Sequence, residues 1–486
     1  MKTPNDDIRF PNIYICNLNK VTKSFLKKQD ITDKHTIMLF NQFYNGDHLK
    51  QADIKTLIDL AKIKYWNNYN LSIVSDQRAV LQDSRQSCEN MLLKVKWSDK
   101  PLKFFMKSEL GSTEYGECCV VVPHLDFIDP SLKNLSVEEQ YQKVPNGYAT
   151  NGIQAGFMAV LDLEAFDHAT TSDSAGFKIG LSDPQDYIVM RQKGFNVQTG
   201  TLTEVAIVPT SIKTTDDVII RFTPDERDCY TNDEFDLSYC PQKLGFRYAM
   251  QNCLYDRMVD TVAQKCNCTM TNHVRFFINA SLPMCFSSNH KMGCYLEYTK
   301  IIGNKKNDMH RARNTKTGNL ELCRPNCDTQ EDNIIISTLT YPNPKTFQDH
   351  HDLCLTMQKI MRICADDDRR VIFEEHFQKE KICNDVANFE QKHNKTCEEY
   401  KQSSLVDSSK FDDNDLKMVE FFHNYAKENL AKIAIYLRDP YHISYVKDVK
   451  IQPTDFFGNI GGLLGLCLGF SIISFFELLF HCLFHS

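Results

Sequence analysis

Residues 456–484 read FFGNIGGLLGLCLGFSIISFFELLFHCLF, and the interpretation of the whole chain starts from this apolar stretch. The part before Glu477 has no charged residue, so its length is close to the ~20 residues that a helix needs to cross a bilayer. Gly461, Gly465 and Gly469 recur every four residues and would share one helix face. Small residues at this spacing let helices pack closely in lipid. The pattern predicts a C-terminal transmembrane helix.

Polar residues mark one side of the same predicted helix. Ser471, Ser474 and Glu477 follow one another at steps of three. A carboxylate at membrane depth costs on the order of 2.5–3.5 kcal/mol, so by default it marks a water-filled or ion-bearing path. The residue pattern alone gives equal weight to two interpretations: a C-terminal anchor with a glycine-lined dimer face, and a pore-lining helix.

The order of the small and polar residues in this stretch is specific. The pair Gly461-Gly462 is followed by Gly465-Leu466, then by Gly469-Phe470-Ser471 and, six residues after the serine, by Glu477. This order resembles the second transmembrane segment of the degenerin, epithelial sodium channel and acid-sensing ion channel superfamily. The resemblance favours the pore-lining helix.

The resemblance implies a role for each of these positions. Gly469, Phe470 and Ser471 would form the ion-selecting constriction, although Phe470 is bulkier than the residue usual there. Glu477, with Ser474, would attract cations to the pore. Gly458 matches a gating position whose enlargement holds family channels open. Gly461, Gly462 and Gly465 would pack the transmembrane helices together.

Composition places most of the chain outside the cell. The chain has 486 residues and a formal net charge of −7, which gives no hint of nucleic-acid binding. Seventeen of its 19 cysteines precede the apolar end, which is typical of a disulfide-rich extracellular domain. Cys467 and Cys482 lie within the apolar end. N-glycosylation sequons begin at Asn70, Asn134, Asn267, Asn279 and Asn394.

No pattern in the sequence indicates an enzyme or a metalloprotein. Residues 150–222 contain no phosphate loop, nucleophile elbow or metal-spaced histidine pair. The spacings Cys266-x-Cys268 and Cys323-x3-Cys327 could suggest zinc, but in an extracellular domain disulfides are favoured. We therefore predict no catalytic residues, no metal and no cofactor; the resemblance implies sodium as the permeant ion.

The resemblance continues along the chain and implies five disulfide bonds. Residues 10–19, FPNIYICNLN, are similar to the start of the family's extracellular domain, and residues 114–119, EYGECC, to its Tyr-Gly-x-Cys element. These two elements imply the pair Cys16–Cys118. The family's thumb has five ladder-like bonds, and the fifth is absent here because Arg257 and Glu321 occupy its two positions. The pairs carried over to the thumb are Cys229–Cys327, Cys253–Cys323, Cys266–Cys294 and Cys268–Cys285.

Other cysteines cannot be paired from the sequence. Residues 345–430 are charged and helix-prone and contain Cys354, Cys364, Cys383 and Cys397, which predicts two more bonds in a helical insertion. Their partners stay open. Cys88, Cys119 and Cys240 are left over, so one of these three would be free or intermolecular.

The predicted fold is α+β. A disulfide-rich extracellular domain, residues 1–455, has a central mixed or antiparallel palm-like sheet and peripheral finger, thumb and knuckle helices; a transmembrane pore helix, residues 456–484, follows. Short strands are predicted at 156–166, 175–184, 202–209 and 216–222. The parts are 10–19 and 114–222 (palm and β-ball), 20–110 (finger), 229–327 (thumb), 345–430 (helical insertion) and 431–455 (last palm strand and linker).

The beginning of the chain differs from the family pattern. Residues 1–30 contain no apolar run, whereas the family has a first span before its extracellular domain. The sequence is therefore expected to be an incomplete subunit or an unusual short isoform. In that case the alternative function is a non-conducting, single-span accessory or dominant-negative subunit, or a membrane-anchored binding protein.

The resemblance implies a subunit of a trimeric, sodium-selective, amiloride-sensitive cation channel in the plasma membrane, gated by an extracellular stimulus. The implied partners are family subunits in a homo- or heterotrimer, membrane lipid, and an extracellular ligand such as a proton or a peptide. No nucleic acid is expected.

Overall fold

In the computed structural model of the chain, the structure is described for part of the sequence, and every structural statement below concerns that part. The described residues are 2–4, 8–28, 83–97, 100–101, 112–113, 115–121, 152–169, 174–183, 186–238, 248–268, 282, 285, 291, 293–294, 311–347, 351–399, 411–451, 453–469 and 472–484. Most of the predicted finger, residues 20–110, lies outside them.

The described part of the chain contains both strands and helices, and several of each follow one another in runs. The strands are β1 (Lys2–Pro4), β2 (Asn12–Asn17), β3 (Leu92–Trp97), β4 (Lys100–Pro101), β5 (Ser112–Thr113), β6 (Gly116–Glu117), β7 (Cys119–Val121), β8 (Phe157–Asp162), β9 (Phe177–Ser182), β10 (Gly194–Val197), β11 (Thr201–Thr214), β12 (Arg311–Arg313), β13 (Leu320–Leu322), β14 (Thr329–Thr340), β15 (Leu430–Leu437) and β16 (Tyr441–Lys447). The helices are α1 (Lys23–Lys28), α2 (Cys88–Met91), α3 (Met190–Lys193), α4 (Asp216–Arg221), α5 (Pro224–Arg227), α6 (Met250–Cys266), α7 (His351–Cys364), α8 (Asp367–His376), α9 (Ile382–Glu399), α10 (Asp413–Asn429), α11 (Pro453–Leu468) and α12 (Ile472–Phe484).

A large mixed sheet is organised around the long strand β11. Antiparallel β14 pairs with one edge of β11 along almost its whole length. On the other edge, parallel β15 pairs with the first part of β11 and parallel β16 with the last part. Beyond β15 follow β8, β3 and β4, and β1 pairs with β16. Because β11 and β16 are parallel, both run toward α11, which follows β16 in the chain.

A second, antiparallel sheet covers one face of the large sheet. Its strand order is β10-β9-β2-β7. Alternate residues of β8 and β15, such as Phe157 and Ile433, face this sheet, as the period of two in a strand requires. They pack with Ile13 of β2 and Ile179 of β9 in one apolar core. The prediction of a mixed α and β protein with disulfides is confirmed, and the strands divide into more than the one central sheet that was expected.

Helices α7 to α10 cover the other face of the large sheet. Val160 of β8 points to this side and belongs to a second apolar core with Ile360, Phe373, Phe422 and other helix residues. Helix α10 begins with a capping box, in which the Asp412 carboxylate accepts hydrogen bonds from the first backbone N–H groups. The protein is therefore three-layered in this region: small sheet, large sheet and helices.

The prediction of a strand at residues 216–222 is wrong, because these residues form α4. Asp216 and Asp217 lie in the first turn, where negative charge complements the helix dipole, and Arg221 lies in the last turn. The carboxylate of Asp217 is 3.3 Å from the guanidinium of Arg221, one turn later. The charged ends outweighed the apolar centre, Val218 to Ile220, on which the strand prediction was based.

A group of charged side chains is buried where β8 meets the helical layer. We call Asp162, Glu164, Lys359, Arg369 and Tyr425 the buried charge cluster. The Lys359 Nζ is 2.5 Å from a Glu164 carboxylate oxygen, and Arg369 donates to the same oxygen. Lys359 Nζ also lies 3.7 Å from Asp162, which accepts a 2.9 Å hydrogen bond from the Tyr425 hydroxyl. The cluster thus connects the end of β8 to α7, α8 and α10.

Burial shifts the pKa of three side chains at this junction. Burial raises the pKa of Asp162 to about 6, against the attraction of Lys359. Burial also raises the pKa of Asp167 to about 6, although the backbone N–H and hydroxyl of Ser24 donate to its carboxylate. Burial lowers the pKa of His168 to about 4, and its Nε2 lies 3.1 Å from the Leu163 carbonyl oxygen.

We predict that Lys359→Met will lower the free energy of unfolding of the purified full chain by about 3 kcal/mol, because it leaves buried carboxylates without their ammonium partner. The matched control is Lys392→Met, which removes a half-exposed lysine 2.6 Å from Asp412 and Asp415. The control should lose clearly less stability than Lys359→Met, because an exposed ion pair contributes little. Denaturant unfolding in detergent measures both, and equal losses would contradict the role of the cluster.

Replacing Asp167 and replacing His168 should change the pH dependence of the free energy of unfolding in opposite directions. The stabilisation from Asp167 is complete below its unfolded pKa of 3.8 and is lost as the pH rises through about 6. The stabilisation from His168 is complete above its unfolded pKa of 6.5 and is lost as the pH falls toward about 4.

When the pH falls from about 7 to about 5, the free energy of unfolding of His168→Gln should therefore change more favourably than that of the wild type, by on the order of 2 kcal/mol. Over the same pH change, the free energy of unfolding of Asp167→Asn should change less favourably than that of the wild type, by on the order of 1–2 kcal/mol. Thermal unfolding at both pH values measures the difference. Shifts of the same sign in the two variants would show that these groups do not titrate as described.

Candidate functional site

The apolar end of the chain forms two helices instead of the single helix predicted for residues 456–484. Helix α11 ends at Leu468 and α12 begins at Ile472. Their apolar side chains are exposed along both helices, and Leu466 is 91% exposed. Across the described part of the chain, no helix combines the length and the apolar character that crossing a membrane requires.

Gly469 causes the break between the helices. It has φ +62°, a left-handed conformation that glycine adopts without the steric cost of a Cβ. Its N–H donates to the Gly465 carbonyl oxygen at 3.1 Å and so closes the last turn of α11, as glycine commonly does after a helix. The prediction that Gly469 continues the helix face of Gly461 and Gly465 is wrong, because α11 ends at Leu468. Phe470 and Ser471 lie outside the described residues.

The other glycines of α11 face open space in the single chain. A Cβ built on Gly458, Gly461 or Gly462 would have no described neighbouring atom within 4 Å. The part of α11 around these glycines therefore has no packing partner among the described residues of this chain. The roles predicted for Gly458, Gly461, Gly462 and Gly465 stay predictions.

Helix α12 carries the predicted cation-attracting residues. Glu477 is exposed, and Ser474, one turn earlier, is half-buried. A carboxylate on an otherwise apolar, exposed helix is the arrangement that attracts cations when several copies assemble around an axis.

Two consecutive threonines at the end of β11 contact parts of the chain that are distant in sequence. Thr214 contacts Cys327 and Asp328, and Thr215 contacts the linker that leads into α11. The hydroxyl of Thr214 donates to the Cys327 carbonyl oxygen at 2.7 Å, and its N–H donates to the Asp328 carboxylate at 3.0 Å. The N–H of Thr215 donates to the Lys447 carbonyl oxygen at 3.0 Å, and its hydroxyl to the Asp448 carboxylate at 2.9 Å. Asp448 lies in the linker between β16 and α11.

Thr214, Thr215 and Asp448 are not among the functional residues predicted from the sequence. Their contacts depend on the pairing of β11 with β16 and on the return of the chain at Asp328, and no local pattern shows either. The buried charge cluster was missed for the same reason.

Disulfides hold the region of α6 and the ends of the two sheets. The structure contains every pair that the resemblance implies: Cys16–Cys118, Cys229–Cys327, Cys253–Cys323, Cys266–Cys294 and Cys268–Cys285. It also joins Cys88 to Cys119 and Cys364 to Cys383, for which the sequence left the partners open. Cys354 is disulfide-bonded as well. Cys240 and the side chain of Cys397 lie outside the described part.

The predicted glycosylation sites have different structural contexts. Asn267 is exposed and follows the last residue of α6 with φ +47°. Asn394 lies within α9, and Asn70, Asn134 and Asn279 lie outside the described residues. Glycosylation at these sites stays a prediction. Within the ranges that the structure describes, no cluster of three or more His, Cys, Asp or Glu side chains could hold a metal ion.

These features define a class of protein: a disulfide-rich α and β domain joined to an apolar helical segment that is interrupted at a glycine. The chain belongs to the amiloride-sensitive sodium channel family, whose sequence pattern matches residues 1–481. This match confirms the family inferred from the sequence motifs. The family consists of ion channels, which also confirms the interpretation that the chain is not an enzyme.

The chain is also similar to another protein of the same superfamily. It is 24% identical over 292 residues to Pickpocket protein 28 of Drosophila melanogaster. The matched region covers 54% of this chain and 43% of that relative, so it spans less than half of the relative's length.

We predict that Gly469→Ala will straighten the junction between α11 and α12, because alanine avoids the left-handed conformation and favours the helix. Cys467 and Cys482 are free and exposed on either side of the junction, so they can carry spin labels. In a continuous helix their backbones would lie about 22 Å apart.

The labelled Gly469→Ala variant, diluted with unlabelled chain, should show a longer and narrower distance distribution than the wild type in electron–electron double resonance. A Cys482→Ser control should lose this distance and identifies the signal. An unchanged distribution in Gly469→Ala would mean that the glycine does not cause the break.

Proposed function

We propose that this chain is a subunit of a trimeric, sodium-selective, amiloride-sensitive channel in the plasma membrane. The observation that carries the proposal is the family match over residues 1–481, which includes the glycine-interrupted apolar end. The disulfide-rich domain before this end supports an extracellular location for that domain, because disulfides persist in oxidising surroundings.

In this proposal α11 and α12 together form the membrane segment. Their 16 and 13 residues correspond to about 24 Å and about 20 Å of helix. Each is shorter than the ~30 Å hydrocarbon core of a bilayer, and the two in series exceed it. A helix end at Gly469 is acceptable at that depth when it lines a water-filled path and is not exposed to lipid.

The junction would then be the ion-selecting part of the pore. Three copies of Gly469, Phe470 and Ser471 would surround the axis, where backbone carbonyl oxygens can replace part of the water shell of a sodium ion. Glu477 and Ser474 would form a polar ring on α12. The open surface around Gly461 and Gly462 would be covered by neighbouring helices.

Gating would start in the extracellular domain, in response to an extracellular ligand such as a proton or a peptide. The threonine contacts at the end of β11 provide a direct connection from the Cys229–Cys327 bond to the linker that enters α11. Gly458, in the second turn of α11, is the proposed point at which helix movement opens the path.

We predict that Gly458→Phe will increase the resting, amiloride-sensitive sodium current by about tenfold or more over the wild type, because a large side chain prevents the helices from closing. A Cβ at Gly458 would meet no described atom of the single chain within 4 Å, so the proposed effect would arise between subunits of the assembled channel. Two-electrode recording from oocytes that express the full-length product, alone and with other family subunits, measures the current.

The matched control is Gly458→Ala, which should stay closed at rest. Surface biotinylation of each variant confirms delivery to the plasma membrane. If Gly458→Phe reaches the surface and carries no sodium current in any combination, the channel proposal fails. Suppression of the current of co-expressed family subunits would then support the alternative, a non-conducting accessory subunit.

A further inference from the structure

Part of the chain lies beyond the end of the large sheet. Strand β11 ends at Thr214, and residues 215–228, which include α4 and α5, follow it. The chain then comes back at Cys229, which is bonded to Cys327 just before β14 begins. We call residues 215–228 the sheet-end loop. Because β11 and β16 are parallel, this loop leaves the sheet at the same end as the linker to α11.

Two apolar side chains of the sheet-end loop are exposed. Ile220 is 82% exposed, which is more than any other large apolar side chain among the described residues before α11. Phe222 is 38% exposed. A single exposed apolar residue is common on protein surfaces, so exposure alone does not identify a binding surface. The position of Ile220 has to be fixed, and a suitable partner has to lie close to it.

Arg227 fixes the end of α4. Its side chain is buried, and its Nη1 donates to the carbonyl oxygens of Ile219 and Phe222 at 3.0 Å and 2.8 Å. It also forms an ion pair with Glu234. These contacts hold the backbone on both sides of Ile220. The exposure of Ile220 is therefore a fixed property of the fold.

Thr215 joins the start of α4 to the chain that enters the apolar end. Its N–H and hydroxyl donate to the Lys447 carbonyl oxygen and the Asp448 carboxylate. The stretch from Asp448 to Pro453, where α11 begins, spans at most about 18 Å even when fully extended. Ile451, within this stretch, is also exposed. The sheet-end loop therefore lies close to the point where the apolar helices start.

The charge of the sheet-end loop limits the kind of lipid that it fits. The loop contains five acidic and two basic residues. Among the acidic ones, Asp225 and Asp228 pair with Arg324. An excess of negative charge does not attract anionic headgroups. A contact with lipid would therefore be made by the apolar side chains of Ile220 and Phe222, and it suits zwitterionic lipid.

We propose that the sheet-end loop contacts the outer surface of the lipid bilayer and inserts Ile220 and Phe222 into the headgroup region. This inference rests on the proposed function, because it requires α11 to enter the membrane. Apolar side chains at this interface are typically buried about 5–10 Å deep. The contact attaches the extracellular domain to the membrane at the end of β11, in addition to the covalent attachment through α11.

The test measures how close a label at residue 220 lies to lipid. Ile220→Cys is introduced into the full chain together with Cys467→Ser and Cys482→Ser, because those two cysteines are free and exposed. The new cysteine carries a nitrobenzoxadiazole fluorophore, and the protein is placed in phosphatidylcholine nanodiscs. A nitroxide on the lipid, near the headgroup, should lower the emission by about half or more. The same chain without Ile220→Cys gives the background signal.

Val371→Cys is the matched control. Val371 is also an exposed apolar residue, at 43%, and it lies on α8. Arg369 of this helix contacts Glu164, just after β8, at the end of the large sheet opposite to α4. The 14 residues of β11 separate the two ends by roughly 40 Å. The nitroxide should not change the emission from residue 371, and equal quenching at residues 220 and 371 would overturn the proposal.

A third label separates failure of this inference from failure of the proposed function. Leu466→Cys places the fluorophore within α11, where a nitroxide deeper on the acyl chain should quench it. Quenching at residue 466 without quenching at residue 220 would overturn the lipid contact alone. Absence of quenching at both positions would mean that α11 does not lie in the membrane, which would overturn the proposed function as well.

Water-soluble iodide distinguishes lipid from protein as the partner of Ile220. A label in the headgroup region should be quenched by the lipid nitroxide and should be quenched less by iodide than the label at residue 371. Protection from iodide without quenching by the nitroxide would mean that another protein surface covers Ile220. That result would also overturn the proposal.

Discussion

The carboxylate of Glu164, held between Lys359 and Arg369, is the constraint on which the arrangement of sheet and helices depends. Buried charges are expensive unless they are paired, so the end of β8 has to meet α7 and α8 in one geometry. Tyr425 of α10 completes the arrangement through Asp162. Apolar packing alone would tolerate small shifts of the helical layer along the sheet, because it is non-directional. The buried charge cluster does not tolerate such shifts. This explains how the four helices α7 to α10, which form no backbone pairing with the sheet, keep a defined position on it.

The long strand β11 organises the other half of the molecule. It pairs with β14, β15 and β16, so the chain passes through the same sheet before and after the cysteine-rich region and again before α11. The Cys229–Cys327 bond closes the cysteine-rich region close to the end of β11. Disulfides restrict the unfolded chain most when they close long loops, and here they also limit where the region can move as a unit.

The sequence predicted those parts of the fold that depend on local pattern or on family motifs. Strands β8 and β9 follow from short β-rich runs bounded by turn residues, and the last palm strand, observed as β15, and the disulfide pairs follow from the resemblance. The strand prediction for α4 failed because three apolar residues were weighted above the charges at its ends. The break at Gly469 was missed because glycine spacing was counted as if the helix were continuous. The buried charge cluster joins Asp162 to Lys359, and no sequence rule predicts a contact at such separation.

The two threonine contacts at the end of β11 have a mechanical consequence. Thr214 bonds the base of the cysteine-rich region, and Thr215 bonds the linker to α11. Between their Cα atoms lies a single planar peptide unit, so only two backbone torsions separate the contacts. A displacement of the cysteine-rich region therefore has a very short covalent path to the linker. The coupling lasts only as long as both hydrogen bonds are kept.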